Sequence, residues 1–226
     1  EGFYADRNME AGSGEVLVTP DVAISMRRIT RPCCERIARS AFELAMQRGK
    51  HVTLVHKHNV LKVTDGIFLD ACRQVAAEFP QVRVDDFIVD AMMAHVVRAP
   101  ERFDVIVTTN MFGDILSDLT AELSGSLGLG GSLNAGVAHA MGQAAHGSAP
   151  DIAGQDVASP FATILSGALM LRWLGDRHQD PRLLAAAERV EAAVESVMAR
   201  GEVLPRDIGG TASCTQVTEA VCRALG

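Results

Sequence analysis

FDVIVTTNMFGDILSDLTAEL (103–123) passes from an apolar run into an amphipathic one, and that change of pattern decides the fold class. FDVIVTT (103–109) lacks the polar alternation of a half-exposed strand and reads as a strand covered on both faces, the usual condition of a parallel sheet. GDILSDLTAEL (113–123) then reads as a helix with Ile115, Leu116 and Leu119 turned inward. Asp114 and Asp118 lie four apart on it and project from one face. Two carboxylates a turn apart repel each other unless a cation sits between them; without one they are solvated acids on an exposed face. Oxygen ligands on a rigid helix suit Mg²⁺ or Mn²⁺.

Upstream, the alternation repeats. PCCERIARSAFELAMQRG (32–49) places Ile37, Ala41, Leu44 and Ala45 at helical spacing before Gly49. HVTLVHK (51–57) is strand-like, and Thr64 is placed to cap a helix through Ala77 with Ile67, Phe68, Cys72 and Val75 inward. VRVDDFIVD (82–90) is a second strand, and Ala91 to Val97 a short helix stopped by Pro100. Strands alternating with helices predict an α/β or α+β fold, not a β-sandwich.

Downstream, SGSLGLGGSLNAG (124–136) reads as a boundary or hinge. HGSAPDIAG (146–154) is a loop, and Ser159-Pro160 supplies an N-cap and first-turn proline for a helix to Leu174. Asp180-Pro181 starts a helix to Arg200 that Gly201 terminates, with Leu183, Ala187, Val190, Val194 and Val197 as its stripe. A last helix covers 215–225. The second half is therefore largely helical and is expected to pack on strands outside this chain.

The 226 residues carry 21 Lys and Arg against 28 Asp and Glu, a net charge of −7. That balance argues against nucleic acid as a partner, because a polyanion needs a basic surface. No apolar run reaches the ~18 residues of a membrane span; FATILSGALMLRWL (161–174) is interrupted by Thr163, Ser166 and Arg172. No export leader is visible, so the chain reads as cytoplasmic, and its opening on Glu reads as that of a fragment or processed piece. Cys33, Cys34, Cys72, Cys214 and Cys222 lack the paired spacings of a disulfide framework or zinc site and read as free thiols.

Three further features could carry chemistry. Lys57, at the end of a strand between His56 and His58, becomes a base if burial or neighbouring cations lower its pKa; otherwise it is an ordinary strand-terminal lysine. Asp90 closes FIVD among apolar residues, where an acid is costly unless paired or ligated. In HGSAPDIAG, Gly147, Ser148, Pro150 and Gly154 enforce a tight loop, His146 offers a ring for stacking, and Asp151 could accept from ribose hydroxyls. This is not the G-x-G-x-x-G pattern, and a turn with no ligand would look the same. Trp173 is most simply core.

Together these segments resemble the β-decarboxylating dehydrogenases, the isocitrate, 3-isopropylmalate, homoisocitrate and tartrate or D-malate enzymes. The resemblance rests on EGFY (1–4), LVHKHNVLK (54–62), IVDAMMAHVVRAPERFDVIVTTNMFGDILSDL (88–119), GSLGL (125–129), HGSAPDIAG (146–154) and DIGGTA (207–212), in the family's order. It implies an α/β, isopropylmalate dehydrogenase-like fold with two domains around a shared sheet and a central cleft. Residues 1–124 would form the substrate, metal and dimerisation domain and 125–226 the C-terminal part of the cofactor domain. It also implies that the family's chain extends upstream, EGFY falling within its RENTEGxY motif.

The same resemblance implies roles. Tyr4 would protonate the enol carbon after decarboxylation, and Lys57 would help remove the hydroxyl proton. Asp90, Asp114 and Asp118 would surround Mg²⁺ or Mn²⁺, with Lys57 and Asp90 from one subunit completing the site that holds Asp114 and Asp118 of the other. The implied partners are a hydroxy-diacid substrate and a second copy in a homodimer with shared sites, with neither nucleic acid nor membrane. Asn59 would lie near substrate and nicotinamide. His146, Gly147, Ser148, Ala149, Asp151 and Ile152 would form the adenosine loop.

Family members using NADP carry Lys-Tyr where this chain has Asp151-Ile152, so NAD is expected, an acid there repelling a 2′-phosphate. Gln143 departs from the family's usual Glu, and Ser159 from a common Asn that contacts adenine. The substrate reading is 3-isopropylmalate, from VDAMMAHVV; VHKHN and VTTNMFGDILSDL look closer to homoisocitrate and isocitrate enzymes. A catalytically silent regulatory subunit is the alternative class. Retention of Tyr4, Lys57, Asp90, Asp114 and Asp118 favours an enzyme.

Overall fold

The computed structural model describes residues 15–226, which divide into two compact units between Leu116 and Ser117. Tyr4 lies outside the described residues.

In the first unit, β3 (His51–His56) runs between β4 (Arg83–Ile88) and β5 (Val105–Val107) in a three-stranded sheet, parallel to both. A central strand with neighbours on each side and helices above and below has no exposed position, and every residue of β3 is buried. That is why its sequence reads apolar without alternation. Helices α1 (Arg31–Met46) and α2 (Thr64–Ala76) supply Ala38, Phe42, Ala45, Phe68, Cys72 and Val75 to a core with Val52, Leu54, Val105 and Val107. Phe42 stacks on Phe79 with ring centroids 5.5 Å apart. Phe68, Cys72 and Val75 face inward as expected, whereas Ile37 and Leu44 of α1 are exposed. The buried face of α1 runs through Cys34, Ala38, Ala41, Phe42 and Ala45 instead, so small residues let it lie close to the sheet. All five cysteines are free, and burial pushes the Cys72 thiol up to about 12.

Two features of this unit depart from the sequence reading. β1 (Glu15–Thr19) and β2 (Val22–Ser25) form an antiparallel hairpin across Pro20 and Asp21, a turn pair flanked by apolar residues that could have been recognised. Asp90 does not close a strand: β4 ends at Ile88, and Asp90 sits in the first turn of α3 (Val89–Arg98), where a carboxylate complements the helix dipole.

Helix α4 (Asn110–Leu123) begins three residues before Gly113 and crosses from the first unit into the second. In the second unit the glycine-rich stretch expected as a hinge contains β6 (Gly131–Ala135), paired antiparallel with β7 (Ala140–Ala144). This ribbon lies on α5 (Phe161–His178). Its glycines permit the approach: a Cβ on Gly131 would come within 2.9 Å of Leu165 Cβ, and one on Gly142 within 2.8 Å of Ser166 O. Buried Ser166 pins both strands, accepting from Ser132 N at 3.0 Å and donating to Gln143 O at 2.9 Å.

Ser159 is not the N-cap of α5; Pro160 takes that position, and the helix continues past Leu174. The α6 (Pro181–Arg200) boundaries are as expected. Asp180 caps it by accepting from Arg182 N at 2.9 Å, and Gly201 ends it at φ 69°. A Ser213–Gln216 capping box starts α7 (Cys214–Leu225). Phe161, Val194, Val197, Val217 and Val221 form this unit's core. Among the described residues no helix is long and apolar enough to cross a membrane.

Candidate active site

The end of β3 positions the first group of candidates. The Lys57 backbone N–H donates to Asp65 Oδ2 at 2.6 Å, and fully buried Asp65 also pairs with Arg27, whose side chain is 10% exposed. A buried carboxylate with two charged or backbone donors is satisfied, and it fixes the backbone from which the Lys57 side chain departs. Lys57 Nζ donates to Asp90 Oδ1 at 2.5 Å. That hydrogen bond is the main reason the Asp90 carboxyl titrates below the ordinary range. The charged partner of Lys57 is thus an acid, whereas burial or neighbouring cations are what would lower a lysine's pKa. His56 faces the other way: its Nδ1 accepts from His58 N at 3.1 Å, so Nε2 carries the proton and donates to Asp86 Oδ2 at 3.2 Å. Asn59 is exposed in the turn after Lys57.

Asp114 and Asp118 are exposed on α4, one turn apart, while Phe112 and Leu116 are its buried residues. Ile115 is 55% exposed, so the inward face is narrower than expected. Carboxylate oxygens are suitable donors for a hard divalent cation. Among the described residues, however, no three His, Cys, Asp or Glu side chains gather to hold a metal.

The second group lies wholly in the second unit, in a cleft of about 750 Å³. His146, Gly147, Ser148, Ala149, Ile152 and Ser159 line it as expected from the loop sequence, and Ser126, Gly128, Asp156, Arg206, Asp207 and Cys214 join them. Ala149 is held at φ 42°, a conformation costly for a residue with a side chain and found where a loop is shaped for a ligand. His146 Nδ1 donates to Gly147 O at 2.9 Å. Asp151 is exposed in the 3-10 turn Pro150–Ile152, its carbonyl accepting from Gln155 Nε2 at 2.9 Å, and it is not among the cleft-lining residues.

The opposite wall is built on a hydrogen-bonded link. Ser126 Oγ donates to Asp207 Oδ2 at 2.5 Å and accepts from Gly128 N at 2.9 Å. A Cβ on Gly128 would fall 2.2 Å from that Asp207 oxygen and 2.9 Å from Ser159 Cβ. Asp156 Oδ1 accepts from both the backbone and hydroxyl of Thr215 at 3.0 Å, and its carboxyl titrates low, chiefly through a hydrogen bond with Ser213. Volume, polar rim and close backbone approach fit an adenine dinucleotide. Asp207 could have been singled out from DIGGTA; Arg206 and Asp156 carry no sequence signal of their own.

The parallel sheet with helices packed against it makes the first unit an α/β protein of the class that places its sites at the C-terminal ends of the strands, where the Lys57–Asp90 pair stands. Residues 1–221 match the model of the isocitrate/isopropylmalate dehydrogenase family, and the chain belongs to that family. The isocitrate/homoisocitrate dehydrogenase of Thermus thermophilus is 50% identical over 91% of this chain and 59% of its own length. The 3-isopropylmalate/3-methylmalate dehydrogenase of Methanocaldococcus jannaschii is 43% identical over 100% of this chain and 65% of its own. Human isocitrate dehydrogenase [NAD] subunit alpha, mitochondrial, is 40% identical over 93% and 56%. The crystal structure of isocitrate dehydrogenase from Methylococcus capsulatus superposes with a TM-score of 0.87 at 42% identity, covering 100% of this chain and 64% of that one. The α/β expectation holds. The chain spans about three-fifths of the curated relatives' length.

Proposed function

We propose that the protein oxidatively decarboxylates a 2-hydroxy-3-carboxy acid with NAD and a divalent cation, 3-isopropylmalate being the substrate favoured by VDAMMAHVV. The observation that carries this is Lys57 Nζ on Asp90 Oδ1 at 2.5 Å, a proton-handling group already joined to a candidate metal ligand. Isocitrate or homoisocitrate is the second reading, supported by the Thermus relative at 50% identity. Retention of Lys57, Asp90, Asp114 and Asp118 favours an enzyme over a silent subunit.

When bound, the dinucleotide accepts a hydride and the cation stabilises negative charge on the substrate oxygens. Asp114 and Asp118 of one protomer, with Asp90 of a second, would hold that cation. Lys57, brought by the same second protomer, takes part in removing the hydroxyl proton, and Tyr4 returns a proton to carbon after CO₂ leaves. Asn59 would lie near the substrate and nicotinamide. The loop of His146, Gly147, Ser148, Ala149, Asp151 and Ile152 orients the adenosine, with Ser159 beside the adenine; the acid at Asp151 favours NAD. Residues 1–124 would serve substrate, metal and dimer contact, and 125–226 the cofactor.

The homodimer is supported by the hairpin β1–β2, whose Val16, Leu17, Val18, Val22 and Ile24 are all about half exposed or more. Such a patch marks an interaction surface. A cytoplasmic location remains part of the proposal. The test is NADH formation by the intact protein with Mn²⁺ against 3-isopropylmalate, isocitrate, homoisocitrate, D-malate and tartrate. Turnover of none of them would sink the proposal in favour of a silent subunit.

A further inference from the structure

We infer that Arg27 is a positioning residue for the proposed chemistry, a buried cation that sets the turn carrying Lys57 against the start of the helix carrying Asp114. The inference rests on the proposed role of Lys57. Arg27 stands two residues beyond the end of β2, and its side chain meets two elements distant in sequence. Its Nη2 donates to Asp65 Oδ1, and the other oxygen of that carboxylate accepts from Lys57 N at 2.6 Å. The guanidinium carbon lies 5.1 Å from the centroid of the Phe112 ring, which belongs to the first turn of α4, two residues before Asp114.

Stability alone does not account for this arrangement. Asp65 is fully buried and the Arg27 side chain is 10% exposed, and apolar side chains of similar volume commonly serve as well as a buried ion pair or better. The cost is raised further because Arg27 Nε and Nη1 are buried without a hydrogen-bond partner among the described residues. The Phe112 ring offsets part of it, since an aromatic face attracts a desolvated guanidinium. An apolar pair would fill the same space, yet it could not accept from the Lys57 amide or hold a flat cation on α4. The ion pair therefore adds direction.

That direction depends on Arg27. The other side-chain donor to the carboxylate, Thr64 Oγ1, is 3.4 Å from Asp65 Oδ1, too long to orient it unaided. Lys57 leaves the anchored amide to reach Asp90 Oδ1 at 2.5 Å, and its long side chain amplifies any shift of its own backbone. Proton transfer needs hydrogen-bond distance, so a loosened turn costs rate before it costs the fold.

The test compares kcat, NADH affinity, urea midpoint and amide hydrogen exchange of the intact protein in three variants. Arg27→Met/Asp65→Leu makes the pair apolar. It should keep about the wild-type urea midpoint and NADH affinity while kcat falls about 10–100-fold, the scale of a reacting group displaced by ~1 Å, and exchange across 54–62 quickens. Arg27→Met/Asp65→Asn restores only an acceptor for the Lys57 amide. It should be less stable than the apolar pair yet regain part of the kcat, whereas a merely structural pair predicts activity that follows stability. Arg27→Lys, which keeps the cation, should stay close to wild type. Wild-type kcat and exchange in the apolar pair would overturn the inference, and so would full recovery of kcat in the Asn variant, because Arg27 would then be dispensable. Should the apolar pair fail to fold, Arg27→Met alone decides: exchange should quicken across 54–62 and not across 103–107, and unchanged exchange at 54–62 would overturn the inference. Lys57→Met separates the two levels. Wild-type kcat in that variant would overturn the role of Lys57 itself, whereas its expected loss beside an unaffected apolar pair would overturn the positioning role alone.

Discussion

Lys57 Nζ meets Asp90 Oδ1 at 2.5 Å, joining the end of β3 to the first turn of the helix that follows the neighbouring strand β4. The two groups travel together wherever that edge of the sheet is presented. Lys57→Met should lower kcat by roughly 10²–10⁴-fold, the usual loss for a proton-transfer group, while leaving NADH affinity unchanged. Asp90→Asn should raise the Mn²⁺ concentration needed for half-maximal rate. An Asp90→Asn enzyme with wild-type Mn²⁺ dependence would remove that residue from the metal set.

Asp65 supports Lys57 from beneath. Its carboxylate is fully buried between Arg27 and the Lys57 amide, so Asp65→Ala leaves a buried guanidinium without its counter-ion and should cost about 3–5 kcal/mol. Urea denaturation measures this directly, and a loss below 1 kcal/mol would mean that water replaces the carboxylate.

Gly210 is the sharpest steric constraint in the second unit. A Cβ there would stand 1.9 Å from the Leu204 carbonyl oxygen, which is backbone and cannot swing away. Gly210→Ala should destabilise the protein by at least the ~1–3 kcal/mol typical of overpacking, seen as a lower Tm. Because Asp207 and Arg206 precede it in the same turn, NADH affinity should fall with it.

Exchanging Asp151-Ile152 for Lys-Tyr should move cofactor preference toward NADP, measured as the ratio of kcat/KM values. The physical cause would be the removal of an anion and addition of a cation beside the proposed ribose position. A wild-type protein that already prefers NADP tenfold would contradict the assignment of Asp151.

Acid stability should depend on Asp104. Burial tends to raise its carboxyl pKa, but hydrogen bonds from Arg48 Nε and Gly49 N, each 2.8 Å, hold it below the ordinary value. The stabilisation is therefore complete above the unfolded value near ~3.9 and is lost as pH falls through the lower folded one. Asp104→Asn should flatten the decline in urea midpoint as the pH falls below about 4. An unchanged slope would show that other carboxylates dominate.

The sequence made the parallel sheet legible where burial erased alternation, as in HVTLVHK and FDVIVTT, and made α6 legible where Asp180 and Gly201 mark both ends. Local chemistry failed where non-local contacts decide. The glycines of 124–136 read as a hinge because nothing nearby shows that Gly131 lies against Leu165 and Ser166. Asp90 read as the end of a strand because β4 enters α3 without an intervening loop. Asp65 drew no notice, since its importance comes from partners elsewhere in the chain, Arg27 and the Lys57 amide.

The hairpin at 15–25 carries one last implication. A two-stranded ribbon with apolar side chains on both faces is marginal in water by itself. Its amides should therefore exchange with solvent deuterium at a rate that drops as protein concentration rises, making this short ribbon a reporter of self-association long before any catalytic signal is measured.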